Sequence, residues 1–576
     1  MRYLAQSLIT LVMITLSTFS YAQCGGPVPL LCDADGNGEV NIADITAISD
    51  AKGSTASPGD VKDIDMDGMI TVLDARQCAT RCSSAECADA LATCVGTDIQ
   101  PERLFLQQLG PDGVIIKWRG NQAPAGAEAD NLCFGTDKDN LLRSSKTWAT
   151  VTATEHREVL LSGLDPDTTY YYSVGGAGVA ATEHSFHTAP ATGSLPADGN
   201  TRIWLVGDSG TGGDDEPTHV GEAAAVLAGM ETYIANDGED VDVFLMLGDN
   251  AYTHGTDFNY QQAVFEVYTA LLKNAPVWPT IGNHEMGSGG GSISSNPDTY
   301  VPGFVGDPTS MPYLDIFSLP TSGEAGGVAS GTEQYYSFDY GNVHIVSLDS
   351  QLSARDDSQR AVMRSWLIDD LSANNSDWTV VIFHHPPYSK GANHDSDVDR
   401  LGVDEPQKDM REEFVEVFDN YGVDLVYSGH SHSYERSYYL RNHTGTSNTF
   451  TTAAPELHAE LVGGNLGNPP ASGRIADGQS YSQLSPTSGG VDDRVVYTVA
   501  GSSGKADSSA GFFTPAAEWL RHAAHIEQPA DTAVPKRRGL NVLGSVLVDA
   551  SGTSMTASFI NVDGVVLDSF TMNRQP

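Results

Sequence analysis

The sequence predicts a multidomain protein in which a small α-helical calcium-binding module and a β-sandwich precede an α/β core. Three observations predict this architecture. Six of the seven cysteines and two similar acidic segments lie within the first hundred residues. Runs rich in β-branched and aromatic residues follow up to about residue 190, and beyond residue 200 apolar runs alternate with amphipathic segments. At 576 residues, the chain is also too long for one ordinary core.

Residues 1–22 have the pattern of a cleaved secretory signal peptide. Arg2 precedes an apolar run from residue 8 to residue 16, and the small residue Ala22 ends the segment. This run is too short to span a bilayer, and no later stretch reaches 18 apolar residues, so we expect a secreted protein without a membrane span. A buried N-terminal helix is the alternative interpretation.

The net charge of −44 argues against binding of nucleic acid or of an anionic membrane through a basic surface. A phosphate-bearing substrate of such a protein would need local cations, which here means metal ions.

Two acidic segments, about thirty residues apart, form an internal repeat that matches calcium-binding loops. Acidic or amide residues stand at positions 1, 3 and 5, glycine at position 6 and a carboxylate at position 12, while position 7 contributes its backbone carbonyl. The expected Ca²⁺ ligands are Asp33, Asp35, Asn37, Glu39 and Asp44 in the first loop and Asp63, Asp65, Asp67, Met69 and Asp74 in the second. Helix-like stretches follow the loops, and residues 31–82 resemble the duplicated dockerin type I module. That resemblance implies a cohesin-like protein partner, although the apolar residues near the end of each loop leave the partner open.

The cysteines predict disulfides that staple residues 23–95, a module too short to build much core. These cysteines are Cys24, Cys32, Cys78, Cys82, Cys87 and Cys94. Six cysteines allow fifteen pairings, and the sequence favours none of them. Cys133 lies in an apolar strand-like stretch and is predicted to be a buried free thiol.

Short strand-like runs separated by turns predict a β-sandwich over residues 98–190. Residues 164–172 resemble the late-strand corner of fibronectin type III domains, so we expect a domain of that kind. Residues 189–200, rich in Ala, Pro and Gly, are predicted to form a linker.

Residues 200–576 are predicted to form an α/β catalytic domain. Buried strands are expected at residues 203–206, 243–247, 380–383 and 423–427, and amphipathic helices at 223–234, 361–371 and 410–418. Strand-like residues 494–499, 542–548 and 554–560 are expected to complete the second half of the catalytic sheet. The Gly/Ser/Asn-rich residues 442–492 are interpreted as either a lid or a disordered loop.

Five short blocks of polar residues lie at or just beyond the carboxyl ends of predicted strands, where open α/β sheets place their ligands. The blocks span residues 207–210, 248–252, 282–285, 381–384 and 429–432. They supply the candidate metal ligands Asp208, Asp249, Tyr252, Asn283, His384, His430 and His432. Such side chains can hold two cations about 3.5–4 Å apart, the separation that clamps the attacking and leaving oxygens in phosphoester hydrolysis.

Tyr252 distinguishes this ligand set, because a phenolate with an intrinsic pKa of about 10 favours a strongly acidic cation such as Fe(III). With this tyrosine, the blocks resemble the purple acid phosphatases, a family within the calcineurin-like metallophosphoesterases, over about residues 201–440. The resemblance implies that Asp249 bridges two metals and that a divalent ion, zinc, manganese or iron(II), accompanies the Fe(III). It assigns Asp208, Tyr252 and His432 to Fe(III) and Asn283, His384 and His430 to the divalent ion.

The resemblance further implies a secreted acid phosphatase in which a metal-bound hydroxide attacks small phosphate monoesters. His284 and His394 would bind phosphoryl oxygens or protonate the leaving group. The family often shows a histidine pair where this chain has Asn393 and His394, and His385 could substitute for the missing partner. The alternatives are a metal-dependent phosphodiesterase and a calcium-dependent scaffold or adhesion protein with a vestigial metal site.

Overall fold

A computed structural model describes most of the chain after residue 101 and parts of the segment before it. The described residues are 32–37, 40–51, 54–57, 60–64, 69–70, 74, 78, 102–119, 131–141, 143–146, 156–174, 180–212, 218–236, 238–286, 311–398, 405–450, 472–484, 494–511 and 514–575. The predicted signal peptide and the residues Cys24, Glu39, Asp65, Asp67, Cys82, Cys87 and Cys94 lie outside them.

The N-terminal acidic segments fold into loops closed by their last carboxylates. Asp44, at the start of helix α1 (Ile42–Asp50), accepts the backbone N–H of Asp35 at 3.1 Å. Asp74 accepts the N–H of Ile64 at 2.6 Å in the second loop. A disulfide joins Cys32 to Cys78 and thereby ties the beginning of the first loop to the end of the second.

The β-rich part that follows contains two antiparallel sheets. Its strands are β1 (Glu102–Gln107), β2 (Gly113–Arg119), β3 (Asn131–Gly135), β4 (Arg143–Lys146), β5 (His156–Ser162), β6 (Thr169–Val174) and β7 (Ser185–His187). One sheet has the order β1-β2-β5 and the other the order β4-β3-β6-β7. At the corner before β6, the Tyr170 hydroxyl accepts the Asp165 N–H at 3.0 Å. Buried Phe105 and Trp118 belong to the same core as Tyr172, so the two sheets share their packing.

The prediction that Cys133 is a free thiol is wrong. Cys133 is fully buried in β3 and is disulfide-bonded. Burial suits a free thiol and a disulfide equally well, so the local sequence could not separate the two states. The oxidising environment implied by the clustered cysteines favours the disulfide.

Within its described residues, the catalytic part contains fourteen strands, numbered β8 to β21, and five α-helices. The strands are β8 (Thr201–Val206), β9 (Val243–Met246), β10 (Val277–Pro279), β11 (Tyr336–Tyr340), β12 (Val343–Ser347), β13 (Trp378–Ile382), β14 (Leu425–Ser428), β15 (Tyr434–Leu440), β16 (Tyr481–Leu484), β17 (Val495–Ala500), β18 (Gly539–Leu540), β19 (Gly544–Ala550), β20 (Ser554–Asn561) and β21 (Val566–Gln575). The helices are α2 (Glu222–Ile234), α3 (Asp257–Tyr260), α4 (Pro312–Ile316), α5 (Asp357–Ala373) and α6 (Glu405–Asn420).

These strands form two seven-stranded sheets, which confirms the predicted α/β core. The first has the order β10-β9-β8-β19-β20-β21-β16, and the second the order β11-β12-β13-β14-β17-β15-β18. β8, β9 and β10 run parallel, as do β12, β13, β14 and β17. The carboxyl ends of several strands therefore meet at one edge of each sheet, where ligands bind in open α/β sheets.

Apolar side chains hold the layers together. One core contains residues of both sheets, including Leu205 and Phe559 from the first and Ile382 from the second. A second core packs Leu367 of α5 and Phe414 of α6 against the other face of the second sheet. The α5 helix is capped by Asp356, whose side chain accepts the N–H groups of Ser358 and Gln359.

The structure differs from three predictions about how segments of the catalytic part are connected. Strands β19 and β20 lie in the first sheet beside β8 and not in the second half, because β-branched content does not specify which edge a strand joins. Residues 189–200 contain no helix or strand, but Ala189 is fully buried and the Gly193 N–H donates to the Gly341 carbonyl, so this connection is packed on the core. Within residues 442–492, β16 pairs in parallel with β21 and extends the first sheet.

Ion pairs join the β-rich part to the core. Asp257 of α3 binds Arg103 of β1 at 2.5 Å and Arg119 of β2 at 2.7 Å. Lys117 and Glu158, both buried, meet the hydroxyl of Ser318 at 2.8 and 2.6 Å. Among the described residues, no helix is long and apolar enough to cross a bilayer.

Candidate metal centre

The candidate ligands lie where parallel strands end. Asp208 follows β8, Asp249 follows β9, and His384 and His430 follow β13 and β14. Asn283 begins a short 3₁₀ turn, Asn283–Met286, after β10. All five side chains are buried, with at most 2% of their surface exposed. The apolar strands thus end at one buried site, where these polar side chains meet.

The chain turns sharply at three of these positions. Asp208, Asp249 and His430 have φ angles of 53°, 52° and 67°, in the left-handed region. Such conformations cost about 1–2 kcal/mol for a residue with a side chain, and they concentrate at functional sites.

One cluster of donor atoms surrounds the amide oxygen of Asn283. His384 Nε2 lies 2.9 Å and His430 Nδ1 lies 3.1 Å from Asn283 Oδ1. Asp249 Oδ1 lies 3.3 Å from the same His384 nitrogen. Donor atoms that each lie about 2.0–2.2 Å from one ion are separated by about 3–3.5 Å, so this cluster has the spacing of a coordination shell.

A second cluster surrounds the hydroxyl of Tyr252. This oxygen lies 3.1 Å from Asp208 Oδ1 and 3.0 Å from Asp249 Oδ2. His432 Nε2 lies 3.6 Å from Asp208 Oδ1. Asp249 therefore directs one carboxylate oxygen to each cluster, which is the placement a bridging ligand needs.

The electrostatics of the clusters also fit cations. Burial, together with the nearby Asp249 carboxylate, raises the pKa of Asp208 to about 7. Burial and the two neighbouring carboxylates raise the pKa of the Tyr252 phenol well above its usual value. Burial disfavours the imidazolium of His384, but Asp249 outweighs it and raises the pKa to about 9. Bound protons thus reduce the repulsion between these acidic groups. Metal ions would supply positive charge in place of the protons and would stabilise the ionised groups.

Glycines make room for the ligands. A Cβ atom on Gly248 would lie 2.6 Å from His384 Nδ1, and one on Gly429 would lie 2.5 Å from Asp208 Oδ2. Real Cβ atoms do not approach so closely. The glycines that open these two blocks are therefore required by packing around the ligands.

Glu285 is a functional residue that the sequence interpretation missed, although it belongs to one of the blocks. Its carboxylate accepts the N–H groups of Gly282, Asp249 and Asn250 at 2.6, 2.8 and 2.7 Å. It thereby joins the loop after β9 to the loop after β10. Burial, followed by the charge of Asp249, raises the pKa of Glu285 to about 7.

The two predicted catalytic histidines lie beside the clusters. The His284 ring contacts the Tyr252 ring at 4.3 Å, and its Nε2 lies 3.8 Å from Asp249 Oδ2. The His394 ring lies 3.8 Å from the His430 ring and 5.8 Å from the His432 ring. Both side chains remain partly accessible.

The positions proposed for a histidine pair differ in exposure. Asn393, beside His394, is exposed, whereas His385 is fully buried. His385 Nδ1 lies 2.8 Å from the Ser350 hydroxyl, and its ring lies 4.4 Å from that of His430. His385 therefore lies behind a candidate ligand and cannot meet a substrate in the way that the missing histidine would.

Residues 501–507, which we call the β17 loop, contribute contacts that no motif indicated. Asp507 Oδ1 lies 3.4 Å from His432 Nδ1, and the Lys505 ammonium lies 3.7 Å from the centre of the Tyr252 ring. These residues are more than 70 positions away from their partners along the chain, and nothing in their local sequence marks them as site residues.

The calcium loops bring several predicted ligands together. Oxygen atoms of Asp33, Asp35 and Asp44 lie within 4.8 Å of one another, a group that could hold a cation. Asp63 and Asp74 of the second loop are buried, and Met69 is 40% exposed.

The matches to known protein families divide the chain into the same β-rich and catalytic parts as the structure does. Residues 201–434 match the calcineurin-like phosphoesterase family, and residues 101–188 match the N-terminal domain of purple acid phosphatases. Both matches support the purple acid phosphatase family with a calcineurin-like metallophosphoesterase domain. Purple acid phosphatase 23 of Arabidopsis thaliana is 28% identical over 383 residues, which are 60% of this chain and 76% of that protein. The phosphoenolpyruvate phosphatase of Allium cepa is 26% identical over 59% of this chain and 64% of its own length.

Solved structures share the fold of this chain. The purple acid phosphatase PPD1 from yellow lupin (Lupinus luteus) seeds aligns with a TM-score of 0.54 and 18% identity, over 84% of this chain and 75% of its own. PhoD aligns with a TM-score of 0.51 and 13% identity, over 84% of this chain and 91% of its own.

The chain is a phosphoric monoester hydrolase with a metal site in an α/β metallophosphoesterase core, which follows a β-rich N-terminal domain. The prediction of a phosphoric monoester hydrolase is therefore confirmed. The family implies a dinuclear centre that contains iron and a second, divalent metal.

Proposed function

We propose that the chain is a secreted acid phosphatase whose two donor clusters hold the two metals. Asp208, Tyr252 and His432 would hold Fe(III), and Asn283, His384 and His430 would hold zinc, manganese or iron(II). Asp249 would bridge them. The observation that carries this proposal is that the two oxygens of Asp249 face different clusters, at 3.0 Å from Tyr252 and 3.3 Å from His384.

The phenol of Tyr252 supports the choice of Fe(III) at its cluster. Its pKa is raised by burial and by two carboxylates, so it would ionise at acidic pH only beside a strongly charged cation. The imidazole-rich cluster around Asn283 suits a borderline divalent ion.

The bound metals would supply Lewis acidity and an activated water for in-line attack on phosphorus. His284 and His394 would bind the phosphoryl oxygens or give a proton to the departing alkoxide, which leaves poorly as an anion. His284 is fixed for this role because its backbone N–H donates to Asp249 Oδ1 at 2.8 Å and its ring Nδ1 lies 2.6 Å from the Thr253 carbonyl. Its Nε2 would then be the ring atom that meets substrate.

The test is the hydrolysis of p-nitrophenyl phosphate as a function of pH, with metal analysis of the same samples. We expect activity on the acid side and two metals per chain, and we expect Asp249→Asn to lose both. Glu183→Gln, at a partly exposed carboxylate of the β-rich part that lies 3.6 Å from the Lys273 ammonium, is the matched control. If Asp249→Asn keeps full metal content and activity, the bridging role is wrong.

We further propose that residues 23–95 form a disulfide-stapled, dockerin-like Ca²⁺ module and that residues 98–190 form a fibronectin III-like domain before the catalytic domain at 200–576. The Asp33, Asp35 and Asp44 oxygens and the Cys32–Cys78 disulfide support the first domain. The three- and four-stranded sheets and the Tyr170 corner support the second. Calorimetric titration of the full chain with Ca²⁺, before and after Asp44→Asn, tests the module. Binding that is unchanged by this substitution would exclude the first loop. A cohesin-like partner would be retained by the full chain only in the presence of Ca²⁺.

Secretion rests on residues 1–22 and is tested by N-terminal sequencing of the protein recovered outside the cell. We expect the mature chain to begin at Gln23.

A further inference from the structure

The β17 loop contacts every residue of the proposed iron cluster. A Cβ atom on Gly501 would lie 2.7 Å from Asp208 Oδ2, so the backbone here packs directly on that carboxylate. The Lys505 ammonium lies 3.7 Å from the centre of the Tyr252 ring, and Asp507 Oδ1 lies 3.4 Å from His432 Nδ1. One short segment therefore forms a wall around this half of the centre.

Lys505 brings a positive charge to a place dominated by acids. The chain has 31 lysines and arginines against 75 aspartates and glutamates, and Asp208, Asp249 and Tyr252 meet in one buried cluster. A cation over the face of an aromatic ring is attracted by the negative charge of that face, and the attraction grows when the ring becomes a phenolate. Lys505 thus places its charge against the tyrosine of this cluster.

We propose that Lys505 is an electrostatic positioning residue that stabilises the phenolate form of Tyr252 and thereby weakens its donation of charge to the metal. The proposal rests on the proposed function, since it requires Tyr252 to be a phenolate ligand of Fe(III). The ammonium contacts the ring itself, so it lowers the energy of the phenolate electrons more than that of the metal orbitals. Light absorption that moves an electron from phenolate to iron then needs more energy.

The β17 loop also explains why this effect is directed at the phenolate. Asp507 is the acidic partner of His432 in the same loop, whereas the Lys505 ammonium lies against the Tyr252 ring. Loss of Lys505 would leave the Asp507 contact in place. A change seen on removing the lysine is therefore attributable to the charge over the Tyr252 ring.

The experiment compares the visible absorption of iron-loaded wild type, Lys505→Met and Lys505→Arg. We expect the phenolate-to-iron band of Lys505→Met to move to longer wavelength and that of Lys505→Arg to stay with the wild type. Lys408→Met, at a half-exposed lysine whose ammonium lies 3.9 Å from the Glu412 carboxylate, is the matched control and should leave the band in place. Iron content and thermal unfolding are measured on each variant.

The outcomes separate this proposal from the proposed function. If iron-loaded wild type has no visible band, Tyr252 is not a phenolate ligand and both proposals fail. If the band is present but Lys505→Met, with full iron content, absorbs at the wild-type wavelength, only the role of Lys505 fails. An equal shift in Lys505→Arg would also overturn it, because the charge would not be the cause. If Lys505→Met does not fold, Lys505→Gln carries the same expectation.

Discussion

Replacement of His344 by glutamine removes a buried positive charge that links the second sheet to α5. His344 Nδ1 lies 2.7 Å from Asp339 Oδ1 of β11, and Nε2 lies 2.9 Å from Asp370 Oδ2 of α5. Burial disfavours the imidazolium, but the two aspartates outweigh it and raise the pKa of His344 from 6.5 to about 9. The folded protein therefore binds this proton more tightly than the unfolded chain does.

A raised pKa gives stability that is fully present below the unfolded value of about 6.5 and is lost as pH rises through about 9. The shift of about 2.5 units corresponds to about 3 kcal/mol, at 1.36 kcal/mol for each unit. At about pH 6, His344→Gln should be less stable by about 3–5 kcal/mol, because two buried carboxylates lose their partner. At about pH 9.5 this difference should shrink by about 3 kcal/mol, since the wild type has then lost its proton.

Denaturant unfolding of both proteins at the two pH values measures this, and the remaining titrating groups cancel in the comparison. Lys408→Met, at the surface, is the control for a substitution that removes a positive charge without burial. A difference between wild type and His344→Gln that is the same at both pH values would refute the reasoning.

Three further predictions concern the metal centre. Tyr252→Phe should remove the visible phenolate-to-iron absorption while leaving the fold intact, and an unchanged spectrum would reject this ligand. Glu285→Ala should reduce kcat by about 10–100-fold, because the loops that carry Asp249 and Asn283 lose the carboxylate that accepts hydrogen bonds from both of them. A kcat equal to that of the wild type at full metal content would contradict this. Gly429→Ala should lower iron content, since the added Cβ would lie 2.5 Å from Asp208 Oδ2, and elemental analysis that finds iron unchanged would show that the backbone can yield.

Much of the fold and of the centre is encoded locally. Fully buried strands such as β8 and β13 consist mainly of apolar residues, and a charged or imidazole residue just beyond such a strand is expected to join other polar groups at a shared site. This is why Asp208 and His384 could be chosen from the sequence, and the structure brings them together with the other candidate ligands.

Other features depend on contacts between distant parts of the chain. Lys505 and Asp507 follow a glycine- and serine-rich turn that looks like any other loop, and only the fold places them on Tyr252 and His432. The disulfide state of Cys133 depends in the same way on a partner elsewhere. Glu285 could have been found, since an acid two residues after a candidate ligand in a buried block needs its own partners.

The position of β8 has a consequence for the order in which the protein can fold. β8, which precedes Asp208, lies between β9 and β19, and Trp204 of β8 hydrogen-bonds Ser545 of β19 across 341 residues. During synthesis, one edge of β8 therefore stays unpaired until β19 follows, and contacts at such separation form slowly. The sheet that positions Asp208 and Asp249 is therefore complete only after nearly the whole chain has been made.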